Sequence, residues 1–439
     1  MNPPVDSPQS LLDSAPPIEE YLGGAFQPLV RTLTGLAESH NVTVCLVGGP
    51  VRDWLLGLPA KDLDFVVEGN APELARELAY QTRGEAVVHG RFGTATVSSG
   101  NLRVDLATAR RESYTAPGAL PRVEPSTISD DLARRDFSIN AMAVPLFGAD
   151  KTLLDPQGGL EDLARKSIRI LHSQSFEDDP TRLFRAVRYE QRLGFVLEKT
   201  TESRLVDAVK GGCLTSVSGD RIRHELQKMF EELQPSNALC RAIDLGVLSF
   251  LNPTESFRNS LYSWETKGPI VDPEGEAGVL SWLAALCYPI SEADGDLLAR
   301  RLNMPSAWKS VLSESVAIKK TVGRLDNPDL LPSELAELLE HRSLDALFVA
   351  AAIVERPIAV SNILRYLREL RHISPSLTGH DLIQLGIPGG VAVGQALARL
   401  RRARLDRQVN TEEEERLWVK NLIAMESLDS KKERTGFRR

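Results

Sequence analysis

No apolar run in this chain approaches the roughly 20 residues that a membrane-spanning helix requires, which excludes a helical membrane protein. Thiols are also scarce. The four cysteines in 439 residues (Cys45, Cys213, Cys240 and Cys287) show neither metal-ligand spacing nor a disulfide framework, and imply buried thiols in a reducing cytoplasm. The first residues carry no basic stretch followed by an apolar one, so no secretory signal is expected. Positive charge is not in excess either. The net charge of −8, taken whole, argues against a polyanionic partner and directs attention to local clusters of arginine. Fixed-period repeats are absent, and His380-Asp381 stands without the further ligands of a metal hydrolase.

What is present is the composition of a soluble globular protein, 42% apolar and 26% charged. The length exceeds one ordinary core and predicts two to four domains. The most informative stretch is VTVCLVGGPVRDWLLGLPAKDLDFVVEG (42–69). An apolar run reads as a buried strand, breaks at Gly48-Gly49, and restarts as a short amphipathic segment with Arg52 and Asp53. A second strand opens on Asp62-Leu63-Asp64. Side chains alternate along a strand, so Asp62 and Asp64 share a face. Two adjacent carboxylates repel unless a cation lies between them, and hard oxygen ligands suit Mg²⁺. Paired glycines let the backbone approach a phosphate, with a helix start behind them. Singly, a Gly-Gly turn is a turn and Asp-x-Asp a solvated strand edge; together, with Arg52 between, they point to nucleotidyl transfer.

Further along, residues 24–40 and 72–84 read as helices, and GTATVSS and LRVDLATA as a hairpin turned at Gly100-Asn101. Asp105, in the second of these strands, is a candidate third carboxylate. Residues 109–131 contain three prolines and little periodicity, and are expected to form a long loop. LARRDFSINAMAV (132–144) passes from helix to strand, with Asn140 a buried polar anchor. Arg135 either reaches a triphosphate or pairs with Asp131 or Asp136. From residue 161 the pattern is almost continuously helical. In FEDDPTRLFRAVRYEQRLG (176–194), Arg182, Arg185 and Arg188 recur every third position and form a ladder on one helix face. Glu190 is the main acid on that helix able to pair with it. Arg399, Arg401, Arg402 and Arg404 form a second basic cluster, either a phosphate-contact patch or a solvated face partly neutralised by the acids at 412–415.

These motifs resemble those of the class II tRNA nucleotidyltransferases and bacterial poly(A) polymerases: GG-x-VRD-x-LLG followed by D-x-D, then RRDF-[ST]-INAMA, then ED-P-x-R-x-x-RA-x-RF. Asp178 stands for the usual Glu, Tyr189 for Phe, and Pro50 for a smaller residue. The resemblance covers 42–230 closely and 379–420 loosely. It implies an α+β protein: a mobile leader (1–23), a mixed-sheet catalytic head (24–160), then an all-helical neck (161–235), body (236–375) and tail (376–439) with tRNA contacts. It further implies Mg²⁺ on Asp62 and Asp64 with Asp105 assisting, and nucleotide contacts from Gly49, Arg52, Arg135, Arg185 and Arg188. Asp179 and Arg182 would read the Watson–Crick edge of CTP or ATP. Arg221 and Glu225, in SGDRIRHEL, would form a supporting (i, i+4) pair. The implied reaction is CCA addition, in whole or part, to the tRNA 3′ end in the cytoplasm. CC-only addition, A-only addition, poly(A) synthesis, a non-catalytic RNA-binding protein and a small-molecule nucleotidyltransferase are the rivals. The 109–131 loop favours members that add A, and the acidic balance disfavours poly(A) synthesis.

Overall fold

The computed structural model describes residues 7–60, 62–147 and 152–436, with side chains at these positions except 91 and 426–436. The chain divides into two compact units, Met1–Phe250 and Leu251–Arg439. The boundary expected near residue 160 thus lies inside the first unit.

The first unit begins with α1 (Pro8–Ser14), α2 (Ile18–Tyr21) and α3 (Gln27–His40), which lead into β1 (Thr43–Val47). Residues 7–21, expected as leader, therefore carry helix, and the indole of Trp54 donates to the carbonyl of Pro16 (2.7 Å). After α4 (Gly49–Leu55) come β2 (Leu63–Glu68), α5 (Ala71–Gln81), β3 (Glu85–His89), β4 (Thr94–Ser99) and β5 (Leu102–Thr108). Asn70 caps α5 by accepting from the Glu73 amide (3.3 Å). The β4–β5 turn falls at Gly100-Asn101, with Gly100 at φ +61°. Next are β6 (Arg110–Ser113), β7 (Arg122–Pro125), α6 (Ile128–Ala133) and β8 (Ala143–Pro145). One six-stranded sheet forms in the order β3-β4-β5-β2-β1-β8. Only β2 and β5 run parallel within it. That makes it a mixed sheet, and its burial pattern agrees: β1 and β2 sit centrally with Val44–Val47 and Phe65–Val67 buried.

The stretch 109–131 is not one long loop. β6 and β7 pair antiparallel from Arg110↔Pro125 to Ser113↔Arg122. These strands are polar and short, and their side chains are held by ion pairs (Arg110–Glu112, 2.8 Å), so apolar alternation could not reveal them. Only 114–121 remains as the tip.

The rest of the first unit is helical apart from one short parallel strand pair, Ser167–Ile168 with Val196–Leu197, inside the stretch expected to be all helical: α7 (Gly159–Ala164), α8 (Ser175–Asp178), α9 (Arg182–Leu193), α10 (Lys199–Lys210), α11 (Gly219–Phe230) and α12 (Pro235–Asp244). Helix α9 buries Leu183, Phe184, Ala186 and Val187 and ends on Gly194 in the left-handed region (φ +63°). The second unit is all helical among its described residues, from Glu255–Val271 to Glu412–Gly436. Its last helices share a core of Leu377, Leu382, Ile387, Leu400 and Val419. No helix among the described residues is long and apolar enough to cross a membrane.

Candidate active site

Residues from α4, the start of β2, the β6–β7 hairpin, the segment after α6, and α9 line one cavity of about 730 Å³. Of the residues singled out from the sequence, Gly49, Arg52, Asp62, Asp64, Arg135, Asp179, Arg182 and Arg185 line it, whereas Asp105 and Arg188 do not.

The glycine turn is required by what lies against it. Gly48 sits at φ +74°, and a Cβ there would meet Nη1 of Arg135 at 2.6 Å. Arg135 in turn is fixed by Asp131 (3.0 Å) and by the Asn140 carbonyl (3.4 Å). Arg52 is buried. It donates to Asp53 (2.7 Å) and, through Nη1, to the amide oxygen of Asn140 (2.7 Å). Asn140 passes the connection on, donating to Asp136 (3.1 Å). Asp136 receives Nε of Arg185 at 2.8 Å. Burial alone would raise the Asp136 carboxyl. The charge and hydrogen bonds of Arg185, the Asn140 amide and the charge of Arg182 overcome this and hold it at about 2.

Asp62 lies just before β2 and Asp64 within it, one on either side of the buried Leu63. Neither forms an ion pair among the described residues. Asp64 lines the cavity, and its carboxyl is pushed up to about 6. Loss of water is the main cause; Asp105 and Asp62 add to it, and Arg135 opposes them. Asp105 is the direct strand partner of Asp64 across the β2–β5 pairing. Its carboxylate is engaged by the hydroxyl of Thr96 on β4 and, more distantly, by Arg103 (3.4 Å). Among the described residues, no three carboxylate, imidazole or thiolate groups are gathered to hold a metal by themselves.

The arginine ladder on α9 is not the row of unpaired charges its spacing implied. Arg185 pairs with Asp136 (2.5 Å), and Arg188 is buried between Glu232 (3.4 Å) and Glu225 (3.9 Å). The acids come from other elements, which spacing along one helix cannot reveal. Glu190, the acid on α9 itself, instead takes Arg241 (2.8 Å). Arg182 differs. Among the described residues its partners are all neutral: the Ser175 hydroxyl (2.6 Å) and the carbonyls of Arg134 (2.8 Å) and Ser175 (3.4 Å). Asp179, just before the helix, accepts three hydrogen bonds, all on Oδ1: Thr181 amide (3.0 Å), Thr181 hydroxyl (2.6 Å) and Arg221 (2.7 Å). Among the described residues Oδ2 accepts no hydrogen bond, and the residue lines the cavity. The expected Arg221–Glu225 pair is replaced accordingly. Arg221 holds Asp179 and the Gly118 carbonyl (3.1 Å), and Glu225 takes Lys228 (3.0 Å). Sequence separation hid these contacts, which join the hairpin tip, Asp179 and α11.

Also missed were Glu112, Tyr114, Arg134 and Arg192, all lining the cavity. Arg134 bridges Glu112 (2.9 Å) and Asp131 (2.5 Å). Its place beside Arg135 in the RRD run was the one available signal. The second basic cluster, in the helix Val391–Leu405, is internally paired. Arg401 meets Glu340, Arg402 meets Glu337 (3.7 Å), and Arg404 meets Glu415. Of the acids at 412–415, Glu415 takes part. It is fully buried and also accepts the amides of Ser376 (2.9 Å) and Leu377 (3.0 Å).

With this geometry in place, comparison with known proteins is direct. The Poly A polymerase head domain family matches residues 44–169, and the family described as the probable RNA and SrmB-binding site of polymerase A matches 194–255. An A-adding tRNA nucleotidyltransferase of Halalkalibacterium halodurans is 35% identical over 374 residues, covering 82% of this chain and 84% of that one. Another A-adding tRNA nucleotidyltransferase, from Geobacter sulfurreducens, is 34% identical over 88% of this chain. The chain spans about half of that relative's length, 46%. The Thermotoga maritima CCA-adding enzyme solved in complex with tRNA CCA superposes with a TM-score of 0.72 at 30% identity, over 94% of this chain and 98% of that one.

Proposed function

Because the chain belongs to the tRNA nucleotidyltransferase family, we propose that it transfers a nucleotide to the 3′ end of tRNA, with AMP from ATP completing a CC end. The observation that carries the reading is the pair at the foot of α9. Among the described residues Arg182 is a buried guanidinium with only neutral partners, and Asp179 lines the same cavity, held on Oδ1 with no hydrogen bond to Oδ2. A donor fork beside a fixed acceptor matches a base edge that offers an acceptor beside an exocyclic amine, as adenine and cytosine do. The choice of AMP rests on the A-adding relatives. Addition of the whole CCA is the second reading, favoured by the likeness to the CCA-adding enzyme.

In the reaction the 3′-hydroxyl oxygen of the RNA bonds to the α-phosphorus. The bond to the bridging oxygen breaks, pyrophosphate leaves with the electron pair, and the hydroxyl's proton passes to solvent. Asp62 and Asp64 fit a divalent cation such as Mg²⁺: they are two hard-oxygen donors with no ion pair of their own, side by side on the wall, with Asp105 next to them. When bound, the ion supplies charge neutralisation at the phosphate. The chain's own groups do the positioning. Gly49 leaves room beside the triphosphate, while Arg52 and Arg135 present preorganised donors anchored from behind by Asn140, Asp53 and Asp131. Arg185, held by Asp136, faces the same space. Arg188 acts through its packing. The tRNA and both nucleotides are cytoplasmic, and we place the reaction there.

The test offers each nucleoside triphosphate singly, with Mg²⁺, to tRNA transcripts lacking the whole CCA, lacking only the final A, or unrelated in sequence. AMP incorporation confined to the CC-ending transcript is the expected result. Successive CMP and AMP incorporation on the shortest transcript favours the second reading. No incorporation on either tRNA would sink both.

A further inference from the structure

Tyr189 lies one turn after Arg185 on α9 and is nearly buried (8% exposed) while lining the cavity. Four guanidinium carbons surround its ring: Arg188 at 5.1 Å from the centroid, Arg52 at 5.3 Å, Arg185 at 5.4 Å and Arg192 at 6.0 Å. Phe137 fixes the ring edge-on at 5.9 Å. Each of the four arginines is also ion-paired, Arg52 with Asp53, Arg185 with Asp136, Arg188 with Glu225 and Glu232, and Arg192 with Glu232, and the negative face of the ring adds to what holds the group together. The hydroxyl is the more telling group. Its oxygen accepts from Nη2 of Arg185 (3.2 Å). Among the described residues that is its only hydrogen bond, so its own proton has no protein acceptor. A buried O–H beside a cavity, polarised by an arginine on its oxygen, calls for an acceptor supplied by a ligand. With Arg182, which has only neutral partners among the described residues, and the remaining N–H groups of Arg52, Arg135 and Arg185 on the same cavity wall, that acceptor is an anionic oxygen.

We infer that Tyr189 is a further substrate-binding residue whose O–H donates to a phosphate oxygen, that of the incoming nucleoside triphosphate. This rests on the function proposed above. The RNA 3′-terminal phosphate is the other source with the same chemistry. The connected set Arg52–Asn140–Asp136–Arg185 then does two jobs: it holds two triphosphate-facing guanidiniums and, through Arg185, aims the phenol.

The test is Tyr189→Phe, which removes only the hydroxyl and leaves Arg185 bonded to Asp136. Binding of ATP and of inorganic tripolyphosphate, each with Mg²⁺ and without RNA, is measured by calorimetry, and KM for ATP and for CC-ending tRNA by steady-state kinetics. The expected result is a roughly ten-fold weakening for both ATP and tripolyphosphate, as for a lost hydrogen bond to a charged group. Preference for ATP over GTP should be unchanged, because Asp179 and Arg182 are untouched; general loosening of α9 would move that preference. A rise in KM confined to the tRNA would assign the same O–H···phosphate contact to the RNA. Unchanged affinity for nucleotide and tRNA alike overturns the inference while leaving the proposed function standing. A wild-type protein that binds neither overturns both.

Discussion

The two arginine clusters, on α9 and in the helix Val391–Leu405, look alike in the sequence but are used differently. In the second, Arg401 and Arg404 end on carboxylates, and Glu415 is so deeply buried that Arg404 is part of how that unit holds together. On α9, Arg188 is used in the same structural way. Arg185 is half-way, paired with Asp136 yet lining the cavity, and Arg182 is held only by neutral oxygens. Charge density along a sequence therefore does not identify a ligand-binding arginine; the character of its fixed partners does. A guanidinium tied by neutral acceptors keeps its full charge for a ligand, while one paired with a carboxylate offers only its remaining N–H groups from a partly neutralised site.

The sharpest way to test that contrast begins outside both clusters. Asp62→Ala or Asp64→Ala should cut nucleotide incorporation by ~10³-fold or more with an unchanged melting temperature, since neither residue is paired. Retained turnover with Mg²⁺ in a transfer assay would remove the pair from the site. Next, Arg182→Ala should reduce the ratio of ATP to GTP incorporation by roughly 10- to 100-fold, the scale of a lost charge-assisted contact, while tRNA affinity changes much less. Competition assays with mixed triphosphates read this directly; a preserved ratio would contradict the base-reading role.

Among the paired arginines the effects move from activity to stability. The Asp136 carboxyl is depressed to about 2, so its contribution is present above the ordinary carboxylate range. That contribution, about 2 kcal/mol, is lost as pH falls from about 4 through about 2. Chemical denaturation at pH 6 and at pH 3 should show about half of this loss in the parent and a flatter profile in Asp136→Asn. Arg404→Ala should destabilise by about 2–4 kcal/mol, because it leaves the buried Glu415 without its counter-charge. Arg402→Ala, whose pair with Glu337 is mostly exposed, should change stability by less than about 1 kcal/mol. If Arg402→Ala instead weakened tRNA binding steeply at low salt, that helix would carry a phosphate contact after all.

Much of the head was legible along the chain. The β1–turn–α4–β2 unit follows from an apolar run broken by glycines and restarted, and Asp62 and Asp64 share a face by strand periodicity alone. The β4–β5 hairpin followed from Gly100-Asn101. Helix α9 was readable too, because its apolar positions and Gly194 stop are local signals. These are all consequences of short-range backbone geometry and side-chain period, which the sequence states directly.

Tertiary structure decided which partner each polar group keeps. Asn140 linking Arg52 to Asp136, Arg221 reaching Asp179 rather than Glu225, Thr96 engaging Asp105, and Tyr189 gathering four arginines all join residues from different elements. A hydrogen bond or ion pair is set by angstrom-scale distance in space, and separation along the chain carries almost no information about it. The sequence by itself determined most elements of the head, though not the polar β6–β7 pair or the helices within 7–21, and the set of chemical groups. The packing of α9 against α11, α12 and the 134–140 segment decided which arginines are paired with carboxylates and which keep neutral partners.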